Sequence, residues 1–490
     1  MRCGTSALTY AELDREAGGV AAGLLARGIA PGERVALFMR NDTAYVSALF
    51  GCFRAGLVAV PVNARLHPRE LAFVLEHAAC SALFFDDDHA AEVAAATAEV
   101  RPRLLVGTGS AGGADVGFGD VAGGATVRDA EVAPDDPAWL FYTSGTTGFP
   151  KGATLSHRNL LTMLTNALAE MHAFEPDDVA LHAAPLSHGS GMYLLPAIAR
   201  GALNLVYDGQ RFDPADVLAT AARERVTVFA FLAPTMLVLL LDAAPAIRLP
   251  SLRKLMYGGA PLHARHARAA VARFGPVLCQ LYGQGEAPMT IAHLPPALHD
   301  LAPDAELVPA GLPFASVEVR IVDEEDNEVP AGEIGEVVVR GDVVMTGYWH
   351  NAEATARALR GGWLHTGDVG RAEPSNGLLY LLDRKHDMII SGGSNVYPRE
   401  VEEALLRHPA VHEACVFGSP DELWGEIVVA AVVVQAGETV AAEELIEHCR
   451  SLLASFKKPK SIMFLDAIPT NASGKMLRRV LRDQFIAAPV

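Results

Sequence analysis

A short apolar strand, Ala138 to Tyr142, runs directly into YTSGTTGFPKG, Tyr142 to Gly152, and this junction constrains the chain more than any other stretch. Three threonines, one serine and three glycines surround Lys151. Small side chains, accessible backbone N–H groups and one cation together suit a polyphosphate. A Walker A loop would need Gly immediately before its Lys, and Pro150 stands there, so the P-loop NTPase reading fails on spacing. The alternative is an ordinary Gly/Thr-rich turn ahead of a helix.

The surroundings of this loop read as alternating helix and strand. An amphipathic run at Tyr10 to Ala26 precedes a strand at Val35 to Met39, a helix at Ala44 to Ala55, and strands at Val58 to Pro61 and Ala82 to Phe85. Gly107 to Pro137 has weak periodicity and reads as a loop joining two subdomains. After the phosphate loop, Ser156 is positioned to cap a helix carrying Arg158 to Met171, with Asn159 where a full capping box has Glu or Gln. Five further strands follow, near Val179, Ala202, Val226, Leu255 and Val277, separated by helical spacing; they imply a buried, largely parallel sheet whose loops carry ligands. Past Gly311 the pattern changes to antiparallel hairpins, and beyond Asp383 to a small α+β unit. The expectation is an α/β fold: parallel-sheet subdomains plus an antiparallel β subdomain in a large domain, 1–383, and a small mobile α+β domain, 384–490.

With 490 residues, the chain exceeds one compact core. A net charge of -18 argues against a protein that covers phosphodiester backbones, so nucleic acid is not an expected partner. The six cysteines form no CxxC pair, which fits reduced thiols in a cytoplasmic protein. The most apolar stretch, Val226 to Leu241, is broken by Pro234 and falls short of the ~20 residues a membrane span needs. Oligomeric state is not legible.

YTSGTTGFPKG resembles the signature of the adenylate-forming superfamily, which includes acyl-CoA synthetases, luciferases and peptide-synthetase adenylation domains. Four further segments resemble that superfamily in the same order, and within it the acyl-CoA synthetases are the nearest match. The resemblance implies that Thr143, Ser144, Gly145, Thr146, Thr147 and Gly148 hold ATP phosphates, with Lys151 a charge clamp near the leaving pyrophosphate. MYGGAP offers Gly258, Gly259, Ala260 and Pro261 to the adenine. LYGQGEAP, with Tyr282, Gly283, Gln284 and Glu286, looks like the element that stacks on adenine and holds Mg2+ through its acid. Gly285 departs from the pattern, replacing a Thr that relatives set against the α-phosphate, a loss on the order of 1 kcal/mol. HTGDVG supplies Asp368 for the ribose, with Arg384 beside it; His386 stands at the hinge, where relatives usually have Lys or Asp. IPTNASGKMLRR presents Lys475, which the resemblance makes the catalytic lysine.

For the acid, HAAPLSHGSGM resembles the element lining the carboxylate pocket and sets His188 near the reacting group as a catalytic candidate. No acidic residue occurs from His182 to Met192, and a buried unpaired ammonium would be costly, so the substrate is expected to lack an α-amino group. Gly189, Gly191 and Gly259 are read as leaving room, with Phe231 and Met289 as apolar walls for an aliphatic or aromatic acyl group. For the acceptor, FKKPK resembles a CoA-binding surface: Phe456, Lys458 and Lys460, with Trp424 nearby and Gly392 and Gly393 lining a pantetheine channel. Arg265, His266, Arg268 and Arg273 on one helix read as a solvated face. His408 and His412 flank Pro409, which spoils helical zinc spacing.

The expected function is ATP-dependent ligation of a carboxylic acid to CoA through an acyl-adenylate. Loading of a separate carrier protein, or a catalytically silent nucleotide-binding protein, are the alternatives.

Overall fold

Short, continuously buried and mostly apolar strands form the centre of the molecule. Strands Val58–Pro61 and Cys80–Phe85 are buried along their whole length, as are Val228–Leu232 and Leu278–Tyr282. Such strands need cover on both faces, which a parallel sheet with crossover helices provides. The computed structural model describes residues 1–487 except 111, 125, 144–149, 245, 303–304, 306, 385–386, 392–393, 422 and 471–475.

Among the described residues there are four sheets. The first has eight strands, with a parallel centre formed by Val58–Pro61, Arg34–Phe38, Cys80–Phe85 and Leu104–Gly107. On one side Pro137–Thr143 joins it in parallel, followed by Lys151–Ser156 in antiparallel register. The second sheet has nine strands; Leu203–Val206, Val179–His182, Val228–Leu232, Lys254–Gly258 and Leu278–Tyr282 pair in parallel across its middle. One hydrophobic core draws on both sheets, with Trp139, Tyr45 and Tyr193 fully buried in it. A four-stranded antiparallel sheet, Glu318–Val322 to Leu379–Arg384, follows. The chain then builds a separate five-stranded sheet with its own apolar core around Val416, Val428 and Val432. The α/β class and the change to antiparallel pairing after Gly311 match the sequence reading.

Three expectations need correction. Gly107 to Pro137 is not all loop: it contains helix Phe118–Ala122, packed against helix Tyr10–Ala26. Gly19 and Gly23 make that packing possible, because a Cβ on either would lie 1.9 or 2.2 Å from the carbonyl oxygens of Ala122 and Val121. The helix after Ser156 is regular only over His157–Asn166 and continues as a π-helical turn, Ala167–Met171. Asn159 nevertheless completes the capping box, taking the Ser156 N–H on Oδ1 at 2.8 Å while its own N–H donates to Ser156 Oγ at 3.2 Å.

The basic face of helix Ala264–Phe274 is not simply solvated. Arg268 donates to the carbonyls of Ala302 and Ala305, and Arg273 to those of Leu240, Leu241, Ala243 and Ala244, around the end of helix Pro234–Asp242. Arg265 likewise grips backbone carbonyls. A helix end leaves four carbonyls without intrahelical partners, and a guanidinium with five donors satisfies several at once.

Candidate active site

The phosphate loop closes an antiparallel hairpin rather than leading from a strand into a helix. Thr143 and Lys151 are cross-strand partners at its base, while Ser144, Gly145, Thr146, Thr147 and Gly148 lie outside the described residues. Lys151 Nζ sits 5.2 Å over the ring of Tyr348. The Tyr348 hydroxyl donates to Glu286 Oε1 at 2.7 Å, and Thr143 Oγ1 donates to the same oxygen at 3.3 Å. Burial and the adjacent Glu286 carboxylate push the Tyr348 phenol well above its ordinary value, so it stays a neutral donor.

Tyr348 carries no sequence signal of its own. It lies on the two-residue strand Gly347–Tyr348, which pairs with Lys151–Ser156 almost two hundred residues earlier. A strand that short has no periodicity to read.

Among the described residues no group of three or more His, Cys, Asp or Glu side chains could hold a metal. Glu286 offers a single carboxylate at the loop mouth. One carboxylate suits Mg2+, which commonly binds through one or two carboxylates plus substrate phosphates and water, so these residues fit that ion.

A second cluster forms where strand Leu364–Ala372 meets strand Leu379–Arg384, with Asp368 opposite Arg384 in register. Asp368 is buried and takes hydrogen bonds from the Tyr282 hydroxyl at 2.7 Å and Gln284 Nε2 at 2.6 Å, while Arg384 Nε pairs with its other oxygen at 2.7 Å. A carboxylate has about four acceptor positions, so three protein donors leave capacity for one more. Asp368 also holds the Arg384 guanidinium above its usual range. Burial, and then Asp368, raise the Tyr282 phenol, keeping it protonated.

The glycines of this region divide by cause. Gly259 has φ +83, where a side chain is strained, and the turn it makes opens toward Phe231. Gly258 answers a different demand, because a Cβ there would lie 2.5 Å from the carbonyl oxygen of Leu281 on the adjacent strand. Gly191 is also not a matter of substrate room: its Cβ would lie 1.8 Å from the Leu186 carbonyl oxygen, so the backbone itself requires glycine. Gly189 does face the Phe231 ring, at 3.0 Å from a virtual Cβ. Ala260 and Pro261 continue the turn after Gly259, and Gly283 lies under the backbone of Met289, which is itself held at φ +59.

His188 precedes the short helix Gly189–Met192, with Ser187 Oγ 2.9 Å from its Nδ1 and the edge of Phe141 against its ring. Burial lowers its pKa to about 4, so it is a neutral imidazole at pH 7 and brings no positive charge to an acid. Phe141 also explains Gly285. A Cβ at Gly285 would lie 2.7 Å from Phe141 Cδ1 and 2.4 Å from Thr143 Cγ2, so the space for a threonine side chain is taken. Gly285→Thr is therefore expected to destabilise by about 1–3 kcal/mol through overpacking, with Phe141→Ala in the same chain recovering part of the loss. Thermal melts of the single and double variants decide it; an unchanged midpoint for Gly285→Thr would remove this explanation.

In the carboxy-terminal unit, Trp424 is 41% exposed and Phe456 42%. Lys460 Nζ lies 5.0 Å over the Trp424 ring, so these two meet on one surface. Lys457, not singled out in the sequence, is occupied by Glu400 at 2.7 Å. Lys475, His386, Gly392 and Gly393 lie outside the described residues. No helix of the described residues is long and apolar enough to cross a membrane.

Known proteins resemble the chain over nearly its whole length. The model of the AMP-binding enzyme family matches residues 1–349, and that of the AMP-binding enzyme C-terminal domain matches residues 400–475. A feruloyl-CoA synthase from Amycolatopsis sp is 42% identical, covering 99% of this chain and 95% of the relative. The fatty acid–[acyl-carrier-protein] ligase ScoC from Streptomyces coeruleorubidus is 36% identical over 99% of this chain and 92% of its own length. The crystal structure of ATP-bound MatB from Rhodopseudomonas palustris superposes with a TM-score of 0.89 at 32% identity, covering 99% of this chain and 95% of that one.

Proposed function

The chain belongs to the AMP-binding enzyme family, and from that premise we propose that it joins a carboxylic acid to CoA at the expense of ATP, through an acyl-adenylate. The observation that carries this reading is the convergence of Thr143, Lys151 and Glu286 at one loop mouth and of Tyr282, Asp368 and Arg384 in one cluster. These two groups offer what a nucleotide needs: a cation and a metal-binding acid for phosphates, and a carboxylate fixed by three donors with capacity left for a ribose hydroxyl.

In the first step a carboxylate oxygen attacks the α-phosphorus of ATP and pyrophosphate leaves. Two anions meet there, and Lys475 neutralises the charge that builds up in a site of low dielectric constant. Mg2+ at Glu286 would add further neutralisation at the phosphates. Lys151 accompanies the leaving pyrophosphate. In the second step the CoA thiolate attacks the acyl carbonyl and AMP leaves, the anhydride having divided one hard displacement into two easier ones. Between the steps the carboxy-terminal domain, 384–490, turns about His386.

The acid lacks an α-amino group and carries an apolar body against Phe231 and Met289, beside neutral His188. An aryl or arylpropenoic acid fits the Phe231 ring beside Gly189 and Gly259, and the feruloyl-CoA synthase relative supports that choice. The acceptor is free CoA, with Lys458 and Lys460 at its phosphates, Trp424 and Phe456 beside them, and Gly392 and Gly393 along the pantetheine. The resemblance to ScoC keeps a carrier protein as the second reading. Incubation with ATP, an aryl acid and CoA should yield acyl-CoA by mass spectrometry; adenylate that accumulates despite CoA, and is discharged only by a carrier protein, would favour ScoC-like chemistry.

Lys458→Glu is expected to raise the KM for CoA about tenfold, the equivalent of one lost charge contact, while leaving acid-dependent ATP use unchanged. An unaltered CoA dependence would remove this surface from the acceptor site.

A further inference from the structure

Arg265 projects from helix Ala264–Phe274 of the large domain, and both of its Nη groups are held by backbone of the small one. Its Nη1 donates to the carbonyl oxygens of Leu406 at 3.1 Å and Val411 at 2.7 Å, and Nη2 donates to that of His412. Leu406 ends helix Pro398–Leu406, so the guanidinium meets a carbonyl the helix cannot pair itself, at the negative end of its dipole. On the opposite edge, Arg265 Nε donates to His266 Nε2 at 3.1 Å. Burial, and then the adjacent Arg265 guanidinium, push His266 down to about 3, so its ring is a neutral acceptor.

Neighbouring residues tie the same two surfaces together. His263 Nδ1 stands 3.1 Å from Glu403 Oε1, and Arg399 Nη2 donates to the Leu262 carbonyl at 3.5 Å while Nη1 donates to that of Leu381 at 2.8 Å. Leu262 directly follows the Gly258–Pro261 turn assigned to adenine. The small domain is thus attached immediately behind the nucleotide turn.

The chemistry of the Arg265 contact suits release. Its small-domain partners are neutral carbonyls, which water can take over when the surfaces part, whereas breaking a buried ion pair would strand a carboxylate. We propose that Arg265 is a positioning residue, a reversible clasp that holds the small domain in the arrangement described above and so favours one of the two partial reactions over the other. The catalytic consequence rests on the two-step reading; the clasp itself does not.

Fluorescent labels at Arg128→Cys and Glu443→Cys report the distance between domains, since all six native cysteines are buried. In the full chain, Arg265→Ala should deplete the population at the distance of this arrangement, with Arg265→Lys intermediate. Adenylation, followed by pyrophosphate release, and thioester formation from supplied acyl-AMP should change unequally in Arg265→Ala, their ratio moving by about fivefold or more. A distance distribution identical in wild type and both variants, or an equal fall in both partial reactions, would overturn the proposal. If wild type performs neither partial reaction, the two-step reading fails, and the distance distribution alone decides the clasp.

Discussion

Lys475→Ala is expected to slow adenylate formation by about 10²- to 10³-fold, the scale of removing one preorganised charge-stabilising group. Thioester formation from supplied acyl-AMP should stay within about threefold of wild type, because no second anion meets the α-phosphate in that step. The two rates are read by pyrophosphate release and by CoA consumption with synthetic adenylate. Equal loss in both would assign Lys475 to folding or to nucleotide binding in general. No loss in either would transfer the charge-neutralising role to Lys151, which lies over Tyr348 at the mouth of the phosphate loop.

Glu286→Gln is expected to lower adenylation by about 10²-fold and to raise the Mg2+ concentration needed for half-maximal rate. The amide oxygen of glutamine can still accept from Tyr348 and Thr143, the two hydrogen bonds that Glu286 Oε1 takes now. The substitution therefore removes charge while keeping the local geometry, and the melting temperature should barely move. A large fall in stability would indicate a structural acid. An unchanged Mg2+ dependence would separate Glu286 from the metal.

Apart from Leu104–Gly107 and the two-residue strands, the parallel strands were legible because each is a continuous apolar run bounded by turn residues, and Tyr10–Ala26 because its apolar positions recur at helical spacing. Contacts between distant segments were not. Tyr348 reaches Glu286 from a two-residue strand, and nothing in GYW distinguishes it from a core aromatic. Phe141 reads as one more strand residue, yet it fills the space that a side chain at Gly285 would occupy. Arg265 reads in sequence as part of a solvated stripe because its helix is basic, while its Nη partners are carbonyls about 140 residues further on, and backbone acceptors leave no signature in sequence. In the sequence Gly191 reads as substrate room, because a glycine has the same appearance whether it yields space to a ligand or to the Leu186 carbonyl. Motifs name the chemistry of a loop, but which neighbour forces each residue is a property of packing.

Acid-dependent exchange of labelled pyrophosphate into ATP, measured without CoA, tests the central claim most directly, because exchange requires a reversible acyl-adenylate and nothing beyond it. Across a panel of aryl, arylpropenoic and aliphatic acids, the account predicts label in ATP with at least one acid, abolished by Lys475→Ala. No exchange with any acid, from a protein that still binds ATP, would contradict it.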